Sequence, residues 1–272
     1  MKHFAFSLFL FIVSVSSPAQ QDSAHNVELV RLDKYYIHSG LLDARDQVIA
    51  PFHWKGYQWA TFGGLAVTES ALIFAGGDKS LQSFMQSNRN VTTNFIETNF
   101  GDPFGSGLYP AIIVGSTYII GCIFKQDHPK KLAMIAAKSI VISGATTTII
   151  KFLAERHRPY QTNPPNPLLW DGPVGIGTTQ YVSFPSGHTT VAFATATSIA
   201  LIYPHPVIIP VLAYSLATVT AYGRMNGDWH WCSDVLMGAA IGYFTAKLVY
   251  NHNNWGKCLS RRIHYHPDID YM

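Results

Sequence analysis

Charge is what this chain has least of. Only 13% of its 272 residues are Asp, Glu, Lys or Arg, against about 25% in an ordinary soluble domain. Together with a hydrophobic share of 48%, that points to a membrane protein or a very apolar helical core. The net charge of +3 is small and no Lys/Arg run forms a basic stripe, which argues against a nucleic-acid partner. Cysteine is also scarce. Cys122, Cys232 and Cys258 are an odd set without close spacing, so a disulfide framework and a cysteine metal site are both disfavoured, and three reduced thiols are expected. The twelve histidines are scattered, without zinc-type pairing. Sustained strand-type alternation is missing, as is any repeat of fixed period, and the expected fold is all-α.

The start of the chain has the pattern of an export signal. Lys2 and His3 precede an apolar run from Phe4 to Val15, followed by the small residues Ser17-Pro18-Ala19. The alternative is an uncleaved anchor, although the run is short for a span. No cysteine follows it, which argues against a lipoprotein anchor. The organisation read from composition is a signal peptide over 1–19, a polar and helical N-terminal segment over 20–106, a helical bundle over 107–250 and a basic tail over 251–272.

Six apolar stretches carry the helical reading: Trp59–Ala75, Leu108–Phe124, Leu132–Ile150, Thr189–Tyr203, Val207–Tyr222 and Val235–Tyr250. Their lengths straddle the lower limit for a spanning helix, and recurrent Gly, Ala, Ser and Thr suit close helix–helix approach in a bilayer. Residues 20–53 show no sustained period. Residues 76–106 read as a polar, Asn-rich loop (Asn88, Asn90, Asn94, Asn99), and residues 159–184 as a Pro/Gly-rich one. Long loops of the second kind tend to be functional.

Three clusters flank that second loop and the last helix. Lys151, six residues, Arg158-Pro159 close one apolar stretch. Pro185-Ser186-Gly187-His188 opens the next. Arg224, five residues, His230, three residues, Asp234 enters the last. Lys151 and Arg158 are seven apart, two helical turns, which places both on one helix face. With Arg224 they make a site for a compact dianion, Arg offering a planar fork and Lys a point charge. Ser186 and Gly187 precede a helix whose first amides are unsatisfied and whose dipole favours negative charge. His230 and Asp234 are four apart, so on a helix the carboxylate orients the imidazole as a nucleophile. His188 is placed to protonate a leaving oxygen. No carboxylate cluster suited to a metal lies among these elements, so no metal or other cofactor is expected and the cations supply the charge stabilisation. Singly, each fragment has a plainer reading: a dipole-facing charge for the cations, a helix cap for Ser186, a structural hydrogen bond for His230 and Asp234. Their joint occurrence beside helix ends is the signal.

These three clusters, in this order and spacing, resemble the three-part signature of the type 2 phosphatidic acid phosphatase superfamily, which includes lipid phosphatases, class A bacterial acid phosphatases and vanadium haloperoxidases. The resemblance covers roughly residues 105–250. It implies that His230 becomes a phosphohistidine with Asp234 orienting it, that His188 protonates the leaving group, and that Lys151, Arg158, Ser186, Gly187 and Arg224 bind phosphate oxygens. The family usually has Ser before the third-part arginine, where this chain has Gly223.

Topology follows from charge. If Trp59–Ala75 does not span, five spans place Lys125–Lys131 and the basic tail with Lys257, Arg261 and Arg262 inside, as the positive-inside rule asks. The motifs then face the periplasm from a bacterial-type inner membrane, with residues 20–106 on the same side. Lys138 inside one stretch leaves a soluble periplasmic phosphatase as the alternative. The expected partners are a membrane and a phosphate-bearing lipid or small phosphate ester. The rivals are a vanadate-dependent haloperoxidase and a catalytically silent membrane scaffold.

Overall fold

The computed structural model describes residues 32–173 and 182–254, and within them the regular structure is helical. The signal segment 1–19, Gly175, Gly177, Cys258 and the basic residues of the tail lie outside the described residues. In chain order the helices are α1 (Lys34–Ile49), α2 (Gly56–Phe74), α3 (Gly77–Ser87), α4 (Val91–Ile96), a π-helical turn (Glu97–Gly101), α5 (Asp102–Gly105), α6 (Leu108–Ile123), α7 (Asp127–Ala154), α8 (Gly187–Ile202), α9 (Ile208–Asn226) and α10 (Cys232–Asn254). Short 3₁₀ turns cover Ala50–His53 and Pro159–Gln161.

The last five apolar stretches become the consecutive helices α6 to α10, running up and down beside one another. α8 is the central one, packed against α7, α9 and α10. Its side chains explain the position: Ala192, Ala194, Ala196, Thr189, Thr190, Thr195 and Ser198 are fully buried. Small residues let backbones approach, and α10 answers with Gly238 and Gly242, one turn apart. A Cβ at Gly242 would stand 2.3 Å from the Thr190 carbonyl oxygen, and one at Gly238 would stand 2.5 Å from that of Ser186.

The interior is thus rich in Ser, Thr, Ala and Gly, whereas Ile119, Ile123, Phe124, Val141, Ile149 and Leu153 are more than half exposed on α6 and α7. That distribution suits lipid rather than water outside. By length and composition two helices qualify as membrane spans, Asp127–Ala154 and Cys232–Asn253. Two bent pairs raise the number to four, Gly56–Phe74 with Gly77–Ser87 (65°) and Val91–Gly105 with Leu108–Ile123 (53°). The helix Gly187–Ile202 is apolar but shorter.

Two expectations need correction. Residues 76–106 are not a loop: Asn90 caps α4 by accepting from the Thr92 and Thr93 amides, and Gly76 (φ 85°) and Gly107 (φ 93°) start the neighbouring helices. Residues 20–53, part of the polar and helical N-terminal segment, contribute α1, capped by Asp33 through the Tyr35 and Tyr36 amides.

The second correction concerns the side on which α1 lies. Tyr36 donates to the Met134 carbonyl, Lys138 to Ser39 (2.6 Å) and Asn253 (2.8 Å), His252 Nδ1 lies 2.9 Å from Asp43, and Gln47 donates to Thr146. α1 therefore runs alongside α7, and its first turns meet the far end of α10 rather than the end that carries the three motifs. The placement of all of 20–106 on the motif side does not survive. The same contacts remove the objection raised by Lys138, whose ammonium is buried, paired with Asp43 at 3.4 Å and seated over the Tyr36 ring. A charge inside an apolar helix is tolerated when protein, not lipid, surrounds it.

Candidate active site

The antiparallel order brings the C-terminal end of α7, the N-terminal end of α8, the C-terminal end of α9 and the N-terminal end of α10 to one end of the bundle. Every residue of the three motifs lies there. The basic turn Lys125–Lys131 lies at the other end of the 28-residue α7, about 42 Å away along its axis.

Lys151 sits in the last turn of α7. Its ammonium reaches the carbonyls of Val182 (2.5 Å) and Ser183 (3.4 Å), and a Cβ on Gly187 would lie 3.8 Å from its Cε. Arg158 is not on that helix. Glu155 takes a left-handed conformation (φ 45°), its amide bonded back to the Lys151 carbonyl. Pro159 then holds Arg158 extended (φ −77°, ψ 155°). Lys151 and Arg158 meet through a turn and not through a shared helix face. The Arg158 guanidinium lies over the Trp229 ring (5.5 Å) and within electrostatic reach of Lys151, His188, Arg224 and His230.

Ser186 is the N-cap of α8, its hydroxyl accepting from the Thr189 amide and hydroxyl, while its own amide donates to the Asp234 carbonyl at 2.8 Å. His188 Nε2 is 3.2 Å from Asp102, and the same Asp102 oxygen is 3.0 Å from Arg224 Nη1. Arg224 Nη2 reaches Glu97 at 3.3 Å, and Glu97 also accepts from Asn226. The departure at Gly223 has a steric correlate. A Cβ there would lie 3.2 Å from Glu97 Cγ, and one at Gly227 would collide with the Glu97 carboxylate. Two glycines four residues apart make room for the π-helical turn against α9.

His230 is nearly fully buried in the turn between α9 and α10, its amide bonded to the Arg224 carbonyl. It too is outside the helix that carries its partner. Trp231 is the first helix-capping position, and Asp234, three residues on, accepts from the Trp231 amide at 2.8 Å, the back-bond of a capping box. His230 Nδ1 stands 3.6 Å from Asp234 Oδ2 and has no hydrogen-bond partner among the described residues. Burial drives the His230 pKa down to about 3, and Lys151 and Arg158 push the same way against the field of Asp234. The ring is therefore neutral at ordinary pH. The Nε atoms of Arg158 and Arg224 are also buried and unpartnered among the described residues.

Sequence reasoning missed five residues. Asp234 is held by Arg156 (2.7 Å) and by the Ser183 hydroxyl, and Arg156 is held by Asp78 (2.7 Å). Glu97 and Asp102 bear on Arg224 and His188. Arg156 had a signal, its place two residues before Arg158 inside the first motif. Asp78, Glu97 and Asp102 had none, because the segment 76–106 read as a loop.

One end of the helical bundle thus gathers three cations, a capped helix start and a neutral buried histidine. The PAP2 superfamily model matches residues 132–257, a stretch that contains all three motifs. Among curated proteins it is 44% identical over 69 residues to the lipid A 1-phosphatase of Porphyromonas gingivalis, covering 25% of this chain and 16% of that protein. It is 29% identical over 174 residues to lipid phosphate phosphatase 1 of Arabidopsis thaliana, covering 54% of this chain and 52% of the relative. The chain thus spans about half of the Arabidopsis relative's length and much less of the bacterial one's. Among solved structures, a transmembrane PAP2-type phosphatidylglycerolphosphate phosphatase from Bacillus subtilis superposes with a TM-score of 0.51 at 19% identity. The match covers 75% of this chain and 96% of that one, and supports the fold.

Proposed function

We propose that this protein is a membrane phosphatase that hydrolyses phosphate monoesters or pyrophosphates of lipids through a phosphohistidine. The observation that carries the reading is the pair of buried, unpartnered guanidinium nitrogens on Arg158 and Arg224 beside a neutral His230. Asp102, bridging Arg224 and His188 with one carboxylate oxygen, marks the place as one that accepts an anion. An arriving phosphate oxygen would take over those contacts.

With phosphate held by Lys151, Arg158, Arg224, the Ser186 hydroxyl and the Gly187 amide, His230 Nε2 attacks phosphorus as Asp234 holds Nδ1–H. The bond from phosphorus to the ester oxygen breaks, and His188, which takes up a proton as the dianionic ester binds, gives that proton to the leaving oxygen. Water then attacks the phosphohistidine, yields its proton to His188 and releases phosphate, restoring both histidines. The cations stabilise the charge that builds on the equatorial oxygens. The names of the curated relatives support a lipid substrate, as does the apolar outer surface of the bundle. The catalytic end faces the periplasm in this reading, because the basic Lys125–Lys131 turn at the opposite end belongs inside.

The test is phosphate release by purified protein, with detergent varied, from phosphatidic acid, phosphatidylglycerophosphate, undecaprenyl pyrophosphate, lipid A and a soluble aryl phosphate. No vanadate is added. Turnover of lipid phosphates is expected. Turnover of the soluble ester alone would overturn the lipid assignment, and peroxidase activity dependent on vanadate would overturn the phosphatase reading.

A further inference from the structure

Arg156 and Asp78 are not among the residues that define the three-part signature, yet both are fully buried. All three guanidinium nitrogens of Arg156 are engaged. Nη1 donates to Asp234 Oδ1 (2.7 Å) and the Ser233 hydroxyl (2.6 Å), Nη2 to Asp78 Oδ2 (2.7 Å) and the Pro167 carbonyl (2.9 Å), and Nε to the same carbonyl. The rings of Trp170 and Trp231 lie 4.6 and 5.6 Å from its central carbon. Asp78, in the first turn of α3, is fixed in turn by the amide and hydroxyl of Ser233.

The two oxygens of Asp234 consequently have separate tasks. Oδ1 is taken by Arg156. Oδ2 accepts from Ser183 and from the Trp231 amide, and faces His230 Nδ1. We propose that Arg156 and Asp78 are positioning residues for the nucleophile, Asp78 holding Arg156 and Arg156 pinning Asp234 so that only Oδ2 is turned toward His230. A planar guanidinium is suited to this because it bridges two carboxylates in one plane, which an ammonium cannot do. The fork also keeps a buried carboxylate ionised, since an unpaired one would take up a proton instead. Glu69, buried in α2 with both carboxyl oxygens unpartnered among the described residues, lies within electrostatic reach of Asp78, Asp234 and Arg156. α3 thereby contributes to the site from outside the segment that the family model matches.

The inference rests on His230 being the nucleophile, so His230→Ala is assayed alongside. Asp78→Asn and Arg156→Lys are compared with wild type for kcat, KM, vanadate inhibition and thermal midpoint, and Arg156→Gln is added as the variant without a cation. The phosphate-binding side chains are untouched in all three. Asp78→Asn and Arg156→Lys should each lower kcat about tenfold or more while KM and vanadate inhibition stay within about twofold. Arg156→Lys should retain more kcat than Arg156→Gln. Near-normal kcat in Asp78→Asn overturns the proposal. So does a joint drift of kcat, KM and vanadate affinity with a fallen thermal midpoint, which marks a scaffold ion pair. If the Arg156 variants do not fold, the isosteric Asp78→Asn decides. Full turnover in His230→Ala would instead overturn the phosphohistidine reading, whatever the other variants do.

Discussion

His230 Nδ1 stands 3.6 Å from Asp234 Oδ2, just beyond hydrogen-bond distance, although the carboxylate is already anchored by three other donors. The partner is preset, and a small rotation of the imidazole completes the pair. His230→Ala should abolish turnover, and Asp234→Asn should lower kcat about a hundredfold or more, because the amide offers Nδ1–H a weaker and misoriented acceptor. Acid-quenched wild-type protein incubated with phosphate-labelled substrate should retain label in an acid-labile, base-stable form. Near-normal turnover by the alanine variant would rule out the nucleophile assignment.

The depressed pKa of His230 makes a prediction about pH. The folded value of about 3 lies below the 6.5 of an ordinary histidine, so the unfolded chain takes up this proton first as the pH falls. The stabilisation is complete above about 6.5, is lost progressively between there and about 3, and is constant below. Thermal midpoints of wild type and His230→Ala, measured across that window, should converge as the pH falls. Parallel curves would mean that His230 titrates normally.

Charge stabilisation by Lys151, Arg158 and Arg224 in place of a metal predicts that activity survives EDTA. Vanadate should inhibit as an analogue of pentacoordinate phosphorus. Loss of activity in chelator, restored by magnesium or zinc, would require a different mechanism.

Gly238 and Gly242 let α10 lie against the start of α8, where Ser186 and Gly187 sit. Gly242→Ala forces a contact of 2.3 Å with backbone and should destabilise the bundle by about 1–3 kcal/mol. Gly238→Ala presses on the Ser186 carbonyl itself and should also raise KM. Thermal midpoints and steady-state kinetics read the two effects separately. Unchanged midpoints in both variants would show that the helices are not so closely packed.

The contacts of α1 revise the expected topology. Single cysteines at Lys34, Lys130 and Asn166, in a background without Cys122, Cys232 and Cys258, are to be probed with an impermeant thiol reagent in intact spheroplasts. Label at Asn166 alone is expected. Label at Asn166 and Lys34 would return α1 to the motif side. Label at all three would indicate a soluble periplasmic protein.

Much of this protein is readable from its sequence because the relevant signals are local. Five apolar stretches, each bounded by polar or Pro-containing turns, are the five helices α6 to α10, and motif spacing named Lys151, Arg158, Ser186, Gly187, His188, Arg224, His230 and Asp234. The reasons given for two pairings were nevertheless wrong. Arg158 and His230 are not on the helices of Lys151 and Asp234, since Glu155 and the turn before Cys232 break the helical register. What only the tertiary structure decided are contacts between residues far apart in the chain. Asp78 reaches Arg156 and Ser233, Glu97 and Asp102 reach Arg224, and Ser39 and Asp43 reach Lys138. A polar residue in a short amphipathic helix carries no local mark of the charge it will be buried against. Its partner is set by which helices pack side by side, and that depends on small residues and glycines spread over the whole chain.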